Sequence, residues 1–335
     1  MKIGIPQILV RRYIEPKDPI SVGLGVSGHF HVIKKRRGII VQELDFDNII
    51  TDVGLRRMAS ETDLFSTIGS YCILGTGTST PVSTDTTLQA YGGRTTNRSY
   101  SLVESSLGSG ADRQMRITYE YGLNDAIGTW TEVGITWDNS SSNPQVFCRM
   151  LFADDQGNPT AVEKTSEDTL TIIYTFHLKR LSDTPVINTI NVEGVGDVDV
   201  SSIVLNSGLA LITNKDFSKN YFSGNYYKSH IRLGTGSGDI LPTRTACYSA
   251  INTEPTLSQV VPYETGAFYR EFLFEWPAAL TGTITEAIYT NGAGRDQFSA
   301  FDNGPVVYMQ FSPAVPKTDT TKKIRLRPRI TFSRV

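Results

Sequence analysis

A glycine-rich loop is written twice in this sequence, as "YCILGTGTSTP" at residues 71–81 and "HIRLGTGSGDILP" at residues 230–242. Such loops cradle phosphate when backbone amides converge on the anion and a lysine and a helix follow, in the order Gly-x-x-x-x-Gly-Lys-Ser/Thr. Gly75-Thr76-Gly77 instead runs into "TSTPVSTD", with no lysine and with Pro81 where a helix would grow. Gly234-Thr235-Gly236 leads to Pro242 in the same way. The dinucleotide pattern Gly-x-Gly-x-x-Gly with a helix behind it is missing as well. Both loops therefore read as strand exits, where glycine permits backbone angles that other residues resist.

The remaining reactive residues are sparse. His29 and His31, in "GHFH", share a face if the segment is a strand, but no third metal ligand lies close in sequence, so a surface pair is expected. The chain has four histidines, and no serine sits in Gly-x-Ser-x-Gly. Glu120 and Glu132 recur as Glu275 and Glu286, where alternation makes them outward residues that keep a sheet face soluble. No catalytic residue, cofactor or metal is expected. Three segments suit contacts with other molecules instead. "TKKIRLRPR" places Arg325, Arg327 and Arg329 on one face of a strand, fit either to grip an acidic partner or to be a solvated edge that blocks aggregation. "YFSGNYYK" gathers Tyr221, Phe222, Tyr226 and Tyr227, which would stack on sugar rings or anchor a loop. Arg11 and Arg12 interrupt the apolar start "GIPQILVRRYIEP".

The elements that carry these residues are also written twice. "LDFDNIITDVGL" aligns with "VDVSSIVLNSGL" at a spacing of 154, Asp45 falling on Asp199 and Ile50 on Val204. Val32-Ile33 falls on Val186-Ile187 at that spacing, and the Gly-Thr-Gly loops lie 159 apart. Downstream, "ITYEY" meets "FLFEW", "GTWTE" meets "GTITE", and Leu170 to Leu178 meets Ile324 to Phe332. Collinear matches of this kind indicate a tandem duplication. The expected organisation is an arm over residues 1–28, a first unit over 29–181 and a second over 182–335.

Period-two alternation dominates each unit. Ile117, Tyr119 and Tyr121 face one way, as do Phe272, Phe274 and Trp276, and "TEVGITW" adds Val133, Ile135 and Trp137. Pro328, standing where the first unit has Tyr174, places that strand at an edge or a bulge. One short helix is expected near "DNIITDVGLRRMASE", capped by Asp47 or Asn48. The fold class is all-β, two tandem sandwich-like domains with one or two short helices.

Composition agrees with this reading. A length of 335 residues suits two domains, and 39% hydrophobic with 20% charged residues supplies ordinary globular cores. The net charge of −2 makes nucleic acid and anionic membranes poor partners. No apolar run approaches the roughly 20 residues of a spanning helix, and the start does not read as a signal peptide. Cys72, Cys148 and Cys247, odd in number and widely spaced, fit free thiols in a reducing cytoplasm.

The grammar Phe46, Asn48, Ile50, Gly54-Leu55, then Leu74 to Gly77, then Glu132 and Gly134, then Phe152 and Pro159 resembles virion structural proteins of tailed bacteriophages, among tail, baseplate and fibre-associated components. The second unit keeps only its outline, with Val200 and Ser202 in place of Phe46 and Asn48. The resemblance implies a non-enzymatic protein of the virion, assembled in the host cytoplasm. Its partners would be other virion proteins and further copies of itself, as a trimer or ring. A receptor- or glycan-binding tail protein that meets a host surface receptor, or a capsid decoration or collar protein, is the alternative.

Overall fold

The computed structural model describes residues 13–14, 18–60, 69–103, 112–192, 194–205, 230–236, 257–260, 268–290 and 305–335. Within them the alternating stretches form strands. The first half of the chain holds β1 (Tyr13–Ile14), β2 (Ile20–Arg36), β3 (Ile39–Asp47) and β4 (Ile49–Ile50). The helix α1 (Asp52–Ser60) follows, then β5 (Tyr71–Gly75), β6 (Tyr91–Thr95), β7 (Arg98–Val103) and β8 (Asp112–Tyr121). β9 (Gly128–Trp130), β10 (Glu132–Thr136), β11 (Cys148–Leu151), β12 (Val162–Lys164) and β13 (Asp168–Arg180) complete it. The second half holds β14 (Val186–Val192), β15 (Gly196–Val204), β16 (His230–Gly234), β17 (Leu257–Val260) and β18 (Tyr269–Trp276). It ends with β19 (Gly282–Thr290), β20 (Pro305–Lys317), β21 (Lys323–Leu326) and β22 (Pro328–Arg334).

The architecture is all-β and sandwich-like. A 10-stranded sheet with the path β1-β21-β18-β22-β2-β13-β8-β7, joined by β3 and β17, is faced by β4-β11-β10-β5-β6 and by β14-β15-β20-β19-β16. Residues predicted to point inward do so: Ile117, Tyr119, Tyr121, Phe272, Phe274 and Trp276 are buried in one continuous core. Phe46 and Phe152 meet there edge to face at 6.0 Å, a favoured arrangement for two ring quadrupoles.

Several ladders carry matching pairs in the two halves. Glu132 stands opposite Gly75 and Glu286 opposite Gly234. Cys148 stands opposite Ile50 and Val307 opposite Val204. Tyr121 faces Leu170 and Trp276 faces Ile324, while Gly128 faces Lys164 and Gly282 faces Lys317. One hairpin departs from the sequence alignment. Val32 pairs with Leu44, yet Val198, the match of Leu44, pairs with Ile190 and not with Val186. The turn between β14 and β15 is shifted, and the register moves by four residues.

The arm expected over residues 1–28 needs correction. Ile20 to Gly28 is the first part of β2, and Ile20, Val22, Leu24 and Val26 are buried. That part of β2 runs parallel to β22, Ile20 beside Pro328 and Val26 beside Arg334, while the rest pairs with β3. β1 continues the parallel track along β21. An unpaired strand edge exposes a row of amides and carbonyls, and here the start of the chain covers the edge left by its closing strands. The opposite edge of β2 is capped at Ser21 by the Asn188 amide, which donates to the Ser21 carbonyl at 3.0 Å and accepts its N–H at 3.3 Å.

The closing strand is interrupted at Arg327, between β21 and β22, where Pro328 cannot donate to a ladder. The helix begins later than expected. Ile49 and Ile50 are strand, and Thr51 is the cap, its hydroxyl oxygen accepting the Gly54 N–H at 2.9 Å. A Cβ at Gly54 would lie 2.3 Å from the Phe147 carbonyl oxygen, so only glycine lets α1 seat against β11's approach. The counterpart helix segment of the second half lies outside the described residues.

Candidate functional site

The Gly-Thr-Gly loop closes over a buried carboxylate. Glu132, at the start of β10, has no exposed surface. Its Oε1 accepts the Gly77 N–H at 3.0 Å and the Ala90 N–H at 2.8 Å. Its Oε2 accepts the Gln89 N–H at 3.2 Å and the Arg149 Nε–H at 2.8 Å. Arg149, itself buried, donates onward to Asp85 at 2.6 Å and to the Ser79 hydroxyl at 3.0 Å. Thr131 donates its hydroxyl to the Gly77 carbonyl at 2.7 Å. A Cβ on Gly75 or Gly77 would come within 2.5 or 2.4 Å of Glu132 Oε1. The glycines are needed for close approach, not for unusual backbone angles, since neither has a positive φ.

Gly234 to Gly236, the described part of the second loop, repeat part of this arrangement. Glu286 is fully buried, and Thr285 donates its hydroxyl to the Gly236 carbonyl. A Cβ on Gly234 would lie 2.4 Å from Glu286 Oε1. Tyr308 occupies the place of Arg149 and donates its hydroxyl to Glu286 Oε2 at 2.6 Å. The expectation that these glutamates face solvent is therefore corrected: both are buried, and over Glu132 the loop itself covers the outer face of the strand. Glu275 is also buried, whereas Glu120 is half-buried.

A second matched pair was missed in the sequence. Lys164 donates to the Gly122 carbonyl at 2.6 Å and to the Leu123 carbonyl at 3.1 Å. Lys317 donates to the Ala278 carbonyl at 3.0 Å and to that of Asp319. Burial lowers the pKa of both ammonium groups. The signal was "VEKT" against "VPKT", where the lysine recurs with its loop.

The thiols and histidines are equally committed. Cys72 and Cys148 are buried, and burial pushes the Cys148 thiol up to about 12 and the Cys72 thiol higher. Neither supplies a thiolate at neutral pH. His29 lies between Asp45, at 2.5 Å, and Asp47, at 2.9 Å. His31 lies between Asp45, at 2.8 Å, and Glu43, at 3.2 Å. Both nitrogens of each ring face carboxylates, which leaves no nitrogen lone pair directed outward. Among the described residues no group of three or more His, Cys, Asp or Glu is placed to hold a metal ion.

The basic strip is paired along its length. Arg325, Arg327 and Arg329 do share a face, with Lys323 beside them. Glu275 binds Lys323 at 2.6 Å and Arg325 at 3.0 Å, and Glu271 binds Arg327 at 2.5 Å and Arg329 at 2.7 Å. Burial acts to raise the Glu275 pKa, but Lys323 and Arg325 outweigh it and hold the carboxyl below its ordinary range. Arg329 also stacks 3.8 Å over the Tyr269 ring, a cation–π contact. Two buried glutamates thus take up half of the strip's positive charge. Arg11, Arg12, Tyr221, Phe222, Tyr226, Tyr227 and Cys247 lie outside the described residues. No described helix is long and apolar enough to cross a membrane. No family model, curated protein or solved structure matches the chain.

Proposed function

We propose that this protein is a structural, non-enzymatic component of a tailed-bacteriophage virion, built by tandem duplication and acting in the tail, baseplate or fibre apparatus through assembly with itself and other virion proteins. The observation that carries the reading is the paired loop-and-glutamate latch. The groups that suggest chemistry in the sequence are used internally, at matching ladder positions, in both halves. A carboxylate that already accepts four donors has no capacity left to orient a substrate. The motif residues that resemble virion proteins are the same residues: Gly75 and Gly77 admit Glu132, Gly54 seats α1, and Phe46 with Phe152 fills the core. What recurs in this family-like grammar is a way of holding a sandwich together, as a protein selected for assembly requires.

The test is quantitative mass spectrometry of density-purified particles from the phage that encodes the chain. The protein is expected at a fixed copy number that survives washing in high salt. Recovery only from the soluble lysate, with particles complete without it, would overturn the reading.

A further inference from the structure

The outer face of the 10-stranded sheet carries one long row of side chains that changes sign along its length. β13 holds one edge of β2 from Leu24 to Arg36. Two strands share the other edge, end to end: β22 lies beside Ile20 to Val26, and β3 beside His29 to Arg36. β21 continues the line of β22 along the same side of β18. The outward residues of this line begin with Arg325, Arg327 and Arg329. Thr331, Ser333 and Val335 follow, and Asp47, Asp45 and Glu43 of β3 close the row.

Each end of the row holds more charge than its own partners cancel. Lys323, Arg325, Arg327 and Arg329 bring four positive charges to two carboxylates, those of Glu275 and Glu271. Arg327 and Arg329 both turn Nε and Nη2 to Glu271, which directs each Nη1 away from it. At the other end three carboxylates share the two rings of His29 and His31. That end is negative whether or not the rings are protonated, and the Asp47 side chain is 92% exposed. An apolar spot lies between. Leu181 and Val335, 45% and 52% exposed, lean over β2 from its two sides. A Cβ on Gly23 would lie 2.6 Å from Leu181, and one on Gly25 2.6 Å from Val335.

We propose that this face packs against the same face of a second copy, about a twofold axis that crosses β2 at Gly25 and sets the two β2 strands antiparallel. Arg329 stands beside Ser21 and Asp47 beside His29, each four residues along β2 from Gly25. The axis therefore places Arg329 of each copy over Asp47 of the other. Arg327 and Arg325 then meet Asp45 and Glu43, because both runs keep the same two-residue step. The other outward residues near the axis, Ser27, Thr331 and Ser333, are small, so two sheets can approach with Leu181 and Val335 enclosed between them. An apolar centre flanked by complementary charge is what a specific contact requires. A like-charge contact opposes it: Lys179 stands beside Gly25 on β13 and would meet its own copy. An isologous contact of this kind closes at two copies. It deepens the assembly reading, on which its purpose rests, while the contact itself stands on this face alone.

Sedimentation velocity on the full chain tests the contact. The wild type should dimerise, and the dimer should weaken with added salt. E43K/D47K, at exposed positions, should weaken dimerisation by about tenfold or more while leaving the urea unfolding midpoint unchanged. Ser333→Glu sets a new charge against its own copy at the axis and should weaken the dimer as well. Lys179→Ser removes the opposing charge and should tighten it. A monomeric wild type would overturn the proposal, and so would a dimer indifferent to all three variants. Either result leaves assembly through another surface, and with it the virion reading, intact.

Discussion

Glu132 and Glu286 hold matching ladder positions, each opposite a glycine of its Gly-Thr-Gly motif. Glu132 faces a buried guanidinium and three backbone amides, and Glu286 accepts from the Tyr308 hydroxyl. Breaking a buried ion pair strands the remaining charge. Glu132→Gln is therefore expected to destabilise by about 3 kcal/mol, the Asp85 contact sparing Arg149 from complete isolation. Urea unfolding of the variant checks this, and an unchanged midpoint would contradict it. The sequence showed that these glutamates recur but not that they are buried. Alternation assigns a residue to a face, and the cover on that face comes from a loop, residues 76–90, whose path has no period to read.

Among the strands, β2 bears the most unexpected role. It belongs to the first half through β13 and β3 and to the second through β22. Deleting residues 1–28 would remove Ile20, Val22, Leu24 and Val26 from the core. At roughly 1.5–3 kcal/mol for each buried side chain, the loss is comparable with the whole stability of a typical domain. The truncated protein is expected to lose the cooperative unfolding transition and near-ultraviolet circular dichroism of the second half, and a soluble, natively folded product would refute that. The antiparallel strands were readable because each alternates strictly, as "ITYEY" and "FLFEW" do. The parallel seam was not, because strands more than three hundred residues apart leave no turn or local pairing signal between them. The displaced hairpin register has a similar origin: Val186-Ile187 resembles Val32-Ile33 in residue type, while the turn that fixes pairing differs. The cap moved from Asn48 to Thr51 because Ile49 and Ile50 were drawn into strand pairing with β11.

The molecule as a whole is two similar halves made unequal at their surfaces. The buried glutamates, the buried lysines and most of the ladder registers correspond, whereas among the described residues the ladder of basic partners on Glu271 and Glu275 lies in the second half. Equivalent interiors with unlike exteriors suit a protein whose two halves meet different neighbours. Such a chain can place six related domains around an axis with three copies, and so sit on a ring of sixfold symmetry. The duplication proposed here is read from paired motifs at nearly constant spacing in the sequence. The joining of the halves into one sheet was not, because it depends on the edge that β22 leaves open. Reconstruction of the phage particle by electron cryomicroscopy, with no symmetry imposed, tests the assembly account most directly. The account predicts ordered density for this chain in the tail apparatus, the two halves alternating around an axis. A particle that lacks the chain, or holds it as a single off-axis monomer, would contradict it.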